Sequence, residues 1–476
     1  MGLIQIGASI LIALLIGALA RGAQILRVYL LLAFSVLAVY WFQPALPLRS
    51  FDFWLPSLSL ALTILTWLVI SSSGVWRSRQ NLIGLAIIVG LVTLIDLSRY
   101  LLPDPILTAT TPPQFFQYLV FLLLAGLALS SFGWMSRRRT WTIGGMIVLL
   151  IVILVVLKTP AFSLQTSIFI RTLADRSIEN AAFSDLRWLG FSYIAFRLIH
   201  ALRDRQMERL PAISLPEFAT YVIFYPALAA GPIDRAERFT QDLRRDFSLT
   251  QDETLVAGQR IFLGLFKKFV IADTLALIAL NDALATQVRT TGWMWVIVYA
   301  YAFQIYFDFS GYTDIAIGIA RLVGIKLPEN FAAPYTKPNL TQFWNSWHMS
   351  LTQWFRAYFF NPFNRWMRGL KQIPAWVMIL VGQMTTMLFI GLWHGITLNF
   401  ILWGLWHGIG LFLQNRWSEF IRTRHSNIGQ VTRLQPILQI GGILLTFHFV
   451  ALGWVFFALS EPALSWQVFR RLLNLL

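Results

Sequence analysis

Gly391-Leu392-Trp393-His394-Gly395 closes the run Ala375–Trp393, which carries no charged residue, and this stretch decides the fold. A helix needs about 20 such residues, rising 1.5 Å each, to cross the hydrocarbon core of a bilayer. The end of the run sets one ionisable imidazole among Phe389, Ile390, Leu392 and Trp393. A bilayer is a costly solvent for polar groups, so an intramembrane ionisable side chain is a functional hypothesis. The alternative is a neutral histidine satisfied by a backbone carbonyl. The pentapeptide by itself leaves both readings open.

Outward from this run, uncharged or nearly uncharged segments recur along the chain. They are Leu3–Ala20, Tyr29–Phe42, Trp54–Ile70, Leu82–Ile95, Phe115–Met135, Trp141–Leu157, Trp293–Phe307, Leu398–Leu413 and Ile437–Leu459. More polar candidates lie around Leu189–Leu202, Phe218–Gly231 and Ile261–Ala283. With 57% hydrophobic and 13% charged residues, a soluble chain of 476 residues would expose large apolar patches. The alternation that a β-barrel needs is missing. The expectation is an all-α polytopic membrane protein of roughly 11 or more transmembrane helices, with re-entrant segments where the runs fall short of a full span. Met1–Ala20 lacks a basic leader and reads as a first span rather than a signal peptide, despite the cleavage-like Ala18-Leu19-Ala20.

The formal net charge is +16, and its basic residues recur after every second helix: Arg21 and Arg27, Arg77 and Arg79, Arg137-Arg138-Arg139, then Arg203, Arg205 and Arg209. Cytoplasmic loops carry such an excess. The pattern therefore predicts an extracytoplasmic N-terminus, with the Phe51–Trp54, Pro103–Pro113 and Lys158–Asp185 regions also outside. Charge dispersed along membrane edges is no nucleic-acid patch, so no nucleic-acid partner is expected, and membrane lipids are. The absence of cysteine excludes disulfides, thiolate metal sites and a cysteine nucleophile. No metal is expected from six scattered histidines. Among them His200, His425 and His448 read as loop or core residues, and His407 is intermediate. No H-E-x-x-H, G-x-S-x-G or Walker loop is present.

Composition divides the chain into an N-terminal scaffold of transmembrane helices, 1–180, and a core, 181–476, whose spans contain Asp, Lys, Asn, Gln and His. The charged stretch from Gly231 to Gln259 predicts a cytoplasmic loop with an amphipathic helix. Phe307–Asp314 reads as the end of an apolar helix that Gly311 can break, with Asp308 or Asp314 accepting backbone N–H bonds. Pro328, Pro334 and Pro338 predict irregular backbone, tolerated at membrane depth only where it is buried or lines a wet cavity. Asn339 with Gln342 marks a helix start. The helix expected over Phe343–Arg356 mixes aromatic and small polar residues on all faces, as a helix lining a polar cleft does; an interfacial helix with a tryptophan belt is the alternative. In it His348 and Thr352 share a face with Trp344. Trp393-His394-Gly395 recurs as Trp406-His407-Gly408, and on one continuous helix the two imidazoles would stand roughly 20 Å apart, too far to share a metal.

One chemistry suits an embedded imidazole without a protein nucleophile. A histidine base removes a proton from a hydroxyl while that oxygen attacks an activated acyl group. Such a transfer needs alignment of two substrates and no acyl-enzyme.

Gly231-Pro232-Ile233-Asp234-Arg235, Gly264–Lys268 with Ile271-Ala272-Asp273, Phe307–Asp314, Leu327–Phe331, Phe343–Arg356 and Gly391–Gly395 form an ordered set. By that set the chain resembles the membrane-bound O-acyltransferases, in the bacterial branch of alginate O-acetylation and teichoic-acid D-alanylation. The resemblance implies an acyltransferase enzyme of the bacterial cytoplasmic (inner) membrane, with helices around a central tunnel. It implies that His394 is the catalytic histidine and His348 the second polar position of the site, with Trp344, Asn345, Trp347, Thr352 and Trp393 around the substrate. Lys267, Lys268 and Arg235 look like the family's basic positions on the acyl-donor side. No bound cofactor is implied; the donor would be a thioester of coenzyme A or of an acyl carrier protein. The acceptor would be a hydroxyl of a cell-envelope polysaccharide, reached directly or through an extracytoplasmic acyltransferase partner. Arg356-Ala357, where the family often has Arg-Asp, is a departure that bears on acceptor specificity. D-alanyl transfer to a teichoic-acid-like polymer is the alternative within the class. A polytopic transporter is the alternative outside it, against which the lack of an inverted repeat counts.

Overall fold

The computed structural model describes residues 2–72, 74–135, 139–370, 373–424 and 435–475. Arg137 and Arg138, and His425 with most of the Arg422–Arg433 loop, lie outside the described residues. Among those described there are helices and turns and no strand. Six helices are long and apolar enough to cross a bilayer: Gln24–Trp41, Phe51–Ile70, Arg79–Leu101, Thr140–Lys158, Ala375–His394 and Pro436–Ala458. Leu3–Leu19 and Phe115–Ala128 are shorter apolar helices. The chain is a polytopic all-helical membrane protein. By its contacts it divides into two compact units, residues 1–261 with 315–328, and residues 262–314 with 329–476.

In the first unit Phe51–Ile70 is the interior helix, 61% buried, whereas Thr140–Lys158 buries 22% and leaves most of its surface to lipid. The interior helix carries Ser57, Ser59 and Thr63, whose hydroxyls donate to the carbonyls of Phe53, Leu55 and Ser59 one turn back. Intrahelical bonds of this kind let hydroxyls enter an apolar core. Ser57 also meets the Tyr40 hydroxyl at 2.8 Å, and Ser59 accepts from Trp188 Nε1 at 2.9 Å.

Two buried arginines are structural, and one of them, Arg27, is an arginine that loop-charge counting places at a membrane edge. Arg27 lies inside the Gln24–Trp41 helix, 1% exposed, and donates to the carbonyls of Asp242, Leu243 and Arg245. It thereby caps the C-terminal end of the Ala236–Arg244 helix, where unpaired carbonyls and the helix dipole favour a cation. Arg197, buried in Phe191–Gln206, donates to the carbonyls of Val222 and Ala227. The Ala236–Arg244 helix buries Ala236, Phe239, Thr240 and Leu243, the one-sided spacing of the amphipathic helix expected there. Within the Lys158–Asp185 region Pro160–Leu173 is helical, and its Arg171 pairs with the buried Asp185 at 2.8 Å. His200 pairs with Asp204 at 2.8 Å.

In the second unit the helix beginning at Thr291 runs through Gly311 without a break, so the hinge expected there is absent. Gly311 serves close packing instead. A Cβ on it would stand 2.7 Å from the Gly264 carbonyl oxygen and 2.8 Å from the Lys268 nitrogen. Asp308 and Asp314 are therefore mid-helix and not at the helix end expected for a cap. Lys268 binds Asp308, and Lys267 binds Asp314 at 2.6 Å. Both lysines sit in a π-helical turn, Phe266–Ala272, a widening frequent at functional sites.

Candidate active site

Ala375–His394 and Leu398–Arg424 form a tight antiparallel hairpin in the second unit. Glycine makes the close approach available, as small residues do between membrane helices. A Cβ on Gly391 would collide with the Phe400 carbonyl oxygen; one on Gly404 would lie 2.7 Å from the Met387 carbonyl oxygen. The sequence around the first histidine, Gly391–Gly395, recurs as Gly404–Gly408, so each histidine sits within a pair of glycines four apart. The turn between the helices separates the two imidazoles onto different helices.

His394 ends the first helix and is half-buried. Aromatic rings wall its imidazole: Trp393 at 4.5 Å, Phe457 at 4.7 Å, Trp403 at 5.7 Å and Phe400 at 5.9 Å between centroids. Such walls exclude water and leave a polar edge for a substrate. Gly391 lies one turn before His394, and a Cβ there would press on Phe400 and Trp403, two of the residues that wall the imidazole. Gly391→Ala is expected to leave insertion and protein level intact and to lower turnover about 10²-fold, the effect of a misplacement near 1 Å. Steady-state turnover beside immunoblot quantity checks it.

His348 reaches the same neighbourhood by another route. The helix expected over Phe343–Arg356 is broken: Leu340–Trp344 stops, and Met349–Phe355 begins afresh. His348, at the N-cap of the second piece, has φ 42° and ψ 53°, the left-handed region that costs a non-glycine residue about 1 kcal/mol or more. The break has a definite cause twenty residues upstream. Asn330, fully buried, accepts the Met349 N–H on its backbone oxygen at 3.0 Å and the Ser350 N–H on its carboxamide oxygen at 3.1 Å. These are orphan donors of a new helix start, satisfied from a distant loop. Ala332 N–H adds a bond to the Ser346 carbonyl at 3.0 Å. The irregular segment predicted around the prolines is thus the clamp that holds His348. The buried imidazole packs edge-on against Phe309 at 4.7 Å and lies 6.2 Å from Trp393, so Trp393 neighbours both histidines.

The same unit holds a cavity of about 220 Å³, and neither His394 nor His348 lines it. Trp344, Asn345 and Thr352 line it; Trp347 and Trp393 do not. Trp347 is buried among Phe331, Tyr335, Phe343 and Trp454. The break at His348 moves Trp344 off the face of Thr352's helix, yet both border the cavity. Its other walls include Arg356 and Ile390, and also Gln383 and Thr386, which the sequence does not single out. Arg356 donates to the Asn345 carboxamide oxygen at 2.5 Å. Gln383 Oε1 and Trp344 Nε1 are buried there without a hydrogen-bond partner, an acceptor and a donor left for a ligand. The available signal was Gln383, a lone amide inside an otherwise apolar span. Lys267 and Lys268 are engaged with their aspartates in this unit, whereas Arg235 is an exposed residue of the first unit.

The remaining histidines separate by environment. His407, fully buried, stands edge-on to Trp403 at 5.0 Å and Trp344 at 5.1 Å, with neither ring nitrogen hydrogen-bonded. His448 bonds the Leu444 carbonyl at 2.7 Å within its own helix. No group of three or more His, Asp or Glu residues suited to a metal exists among the described residues.

The chain resembles several curated proteins. It is 34% identical over 284 residues to the teichoic acid D-alanyltransferase of Bacillus subtilis, covering 57% of this chain and 69% of that one. With the Pseudomonas syringae protein named "Probable alginate O-acetylase AlgI" it shares 36% over 270 residues, 56% of this chain and 48% of the other. With the peptidoglycan O-acetyltransferase of Helicobacter pylori it shares 31% over 291 residues, covering 58% and 52%. The chain therefore spans about half the length of the O-acetylating relatives it matches. The family model of the membrane-bound O-acyltransferases matches residues 107–456, the greater part of the chain. The protein belongs to the membrane-bound O-acyltransferase family, a family of acyltransferase enzymes.

Proposed function

We propose that this protein moves a short acyl group, acetyl foremost, from a cytoplasmic thioester to hydroxyls of a cell-envelope polysaccharide, in the bacterial inner membrane with its N-terminus outside. The observation that carries the reading is His394: a half-buried imidazole walled by rings at the end of an apolar helix, in a chain without cysteine. His394 takes the acceptor hydroxyl's proton as that oxygen attacks the thioester carbonyl. The carbon–sulfur bond then breaks, and the departing thiolate takes up the proton. His348 orients or polarises a substrate from its fixed position against Trp393. The cavity beside Gln383 and Arg356 suits the polar portion of one of the two substrates. Lys267 and Lys268, and Arg235, belong to the donor side in this reading, and the donor is acyl-coenzyme A or an acyl carrier protein. An extracytoplasmic protein that receives the acyl group before the polymer fits the same chemistry.

The D-alanyltransferase similarity favours a second reading, in which the group moved is D-alanine from a carrier protein. The family match weighs against the transporter alternative. Mass spectrometry of envelope polymers from cells with and without the gene decides between the two groups. Base-labile acetyl esters that depend on the gene are expected. Gene-dependent D-alanyl esters would transfer the assignment to the second reading, and no change in esterification would remove both.

A further inference from the structure

The first unit contains a second, larger cavity, of about 1,040 Å³, that none of this chemistry uses. It lies where the Phe51–Ile70 and Phe115–Met135 helices begin and where Arg79–Leu101 and Pro160–Leu173 end. Four arginines line it, Arg49, Arg99, Arg171 and Arg176, and no aspartate or glutamate does. Arg171 is matched by Asp185 at 2.8 Å behind the wall. Arg99 donates to the Pro112 carbonyl at 2.6 Å and, like Arg49 and Arg176, forms no ion pair with a described carboxylate. Asp96, one turn before Arg99, does not line the cavity. Arg99 is attracted by Asp96, so the guanidinium groups of Arg49 and Arg176 are the two on this concave surface without a described carboxylate beside them.

The loop-charge rule does not account for them. Phe51–Ile70 runs from this cavity to its far end near Arg77 and Arg79, so the cavity lies at the opposite end of these helices from those basic residues. By the topology read from loop charge this end faces outward, where no excess of arginine is required. Guanidinium groups recognise carboxylate and phosphate oxygens with paired, planar hydrogen bonds. The rest of the lining adds the means to hold a sugar: the half-buried Trp54 face, and the amides of Gln114, Gln117 and Asn180. The volume is at the upper end for ligand sites, far more than one phosphate group fills.

We propose that this cavity binds a segment of an acidic oligosaccharide, whose carboxylate or phosphodiester groups the arginines pair with, as a docking site for an anionic envelope polymer. The site stands on its own residues and does not depend on acyl transfer, so its test reads binding alone. Full-length protein in detergent is titrated with a uronic-acid hexamer, a glycerol-phosphate hexamer and a neutral glucose hexamer, and separately with nanodiscs containing phosphatidylglycerol. Expected is saturable binding of at least one acidic hexamer, at least tenfold tighter than the neutral one and weakened by salt. The acidic hexamer preferred tells carboxylate from phosphate recognition. Arg49→Glu with Arg176→Glu, both exposed, should weaken that binding at least tenfold with the thermal midpoint unchanged. Equal binding of acidic and neutral hexamers, or undiminished binding by the double variant, would overturn the proposal. So would binding of the anionic nanodiscs alone, which would make the cavity a lipid-headgroup site.

Discussion

Replacing His394 with alanine is expected to lower the acyl-transfer rate by about 10²–10⁴-fold, the range that positioned general bases contribute. At 1.36 kcal/mol per factor of ten, that is about 3–5 kcal/mol of transition-state stabilisation. An interaction made only in the transition state lowers kcat and kcat/KM together, so KM for the thioester should barely move. The alanine also removes ring contacts with Phe457 and Trp403, a packing loss that His394→Gln largely avoids. Glutamine fills the space without a basic nitrogen. Both variants should therefore show the same loss of rate, with His394→Gln nearer the wild-type unfolding midpoint. A KM rise at constant kcat in either variant would assign His394 to binding.

Asn330→Ala should be the most damaging change outside the aromatic walls. Its carboxamide oxygen is the partner of the buried Ser350 N–H, and leaving that donor unsatisfied costs about 1–3 kcal/mol. The backbone bond to Met349 survives the substitution, so the helix start loosens without vanishing. The left-handed conformation of His348 is then held by fewer contacts, and relaxation toward ordinary helix would pull the imidazole away from Phe309 and Trp393. The expected result is a lower thermal midpoint together with at least a tenfold loss of transfer. A stable variant with full activity would show that the clamp does not serve His348.

The sequence made the membrane helices legible because lipid leaves its mark on composition. Ala375–His394 and Gln435–Ala458 declare themselves within a residue or two of their observed ends. What stayed hidden depended on partners far along the chain. The break at His348 is written in Asn330, which lies twenty residues before the Ser350 it binds, and nothing local between Phe343 and Arg356 announces it. Gly311 reads as a hinge because its partner, Gly264, comes from another helix; the close contact, not flexibility, requires glycine there. Asp308 and Asp314 look like caps until Lys268 and Lys267 are brought beside them. Arg27 counts as a loop charge until the carbonyls of Asp242, Leu243 and Arg245 converge on it. The two histidines were visible as residues. Their common neighbour Trp393, and the cavity beside Gln383, required the packed helices.

His394 is proposed as the base of an acyl transfer that forms no covalent acyl intermediate on this chain. The most direct test of this role is a single-turnover measurement with the wild-type protein and His394→Gln reconstituted in vesicles, supplied with a radiolabelled acyl thioester and a polysaccharide acceptor. The account predicts label passing to the polymer as an ester in the wild type, at least 10²-fold more slowly in the variant, with no label retained on the protein. Equal rates in the two proteins, or label trapped covalently on the wild-type chain before it reaches the polymer, would contradict it.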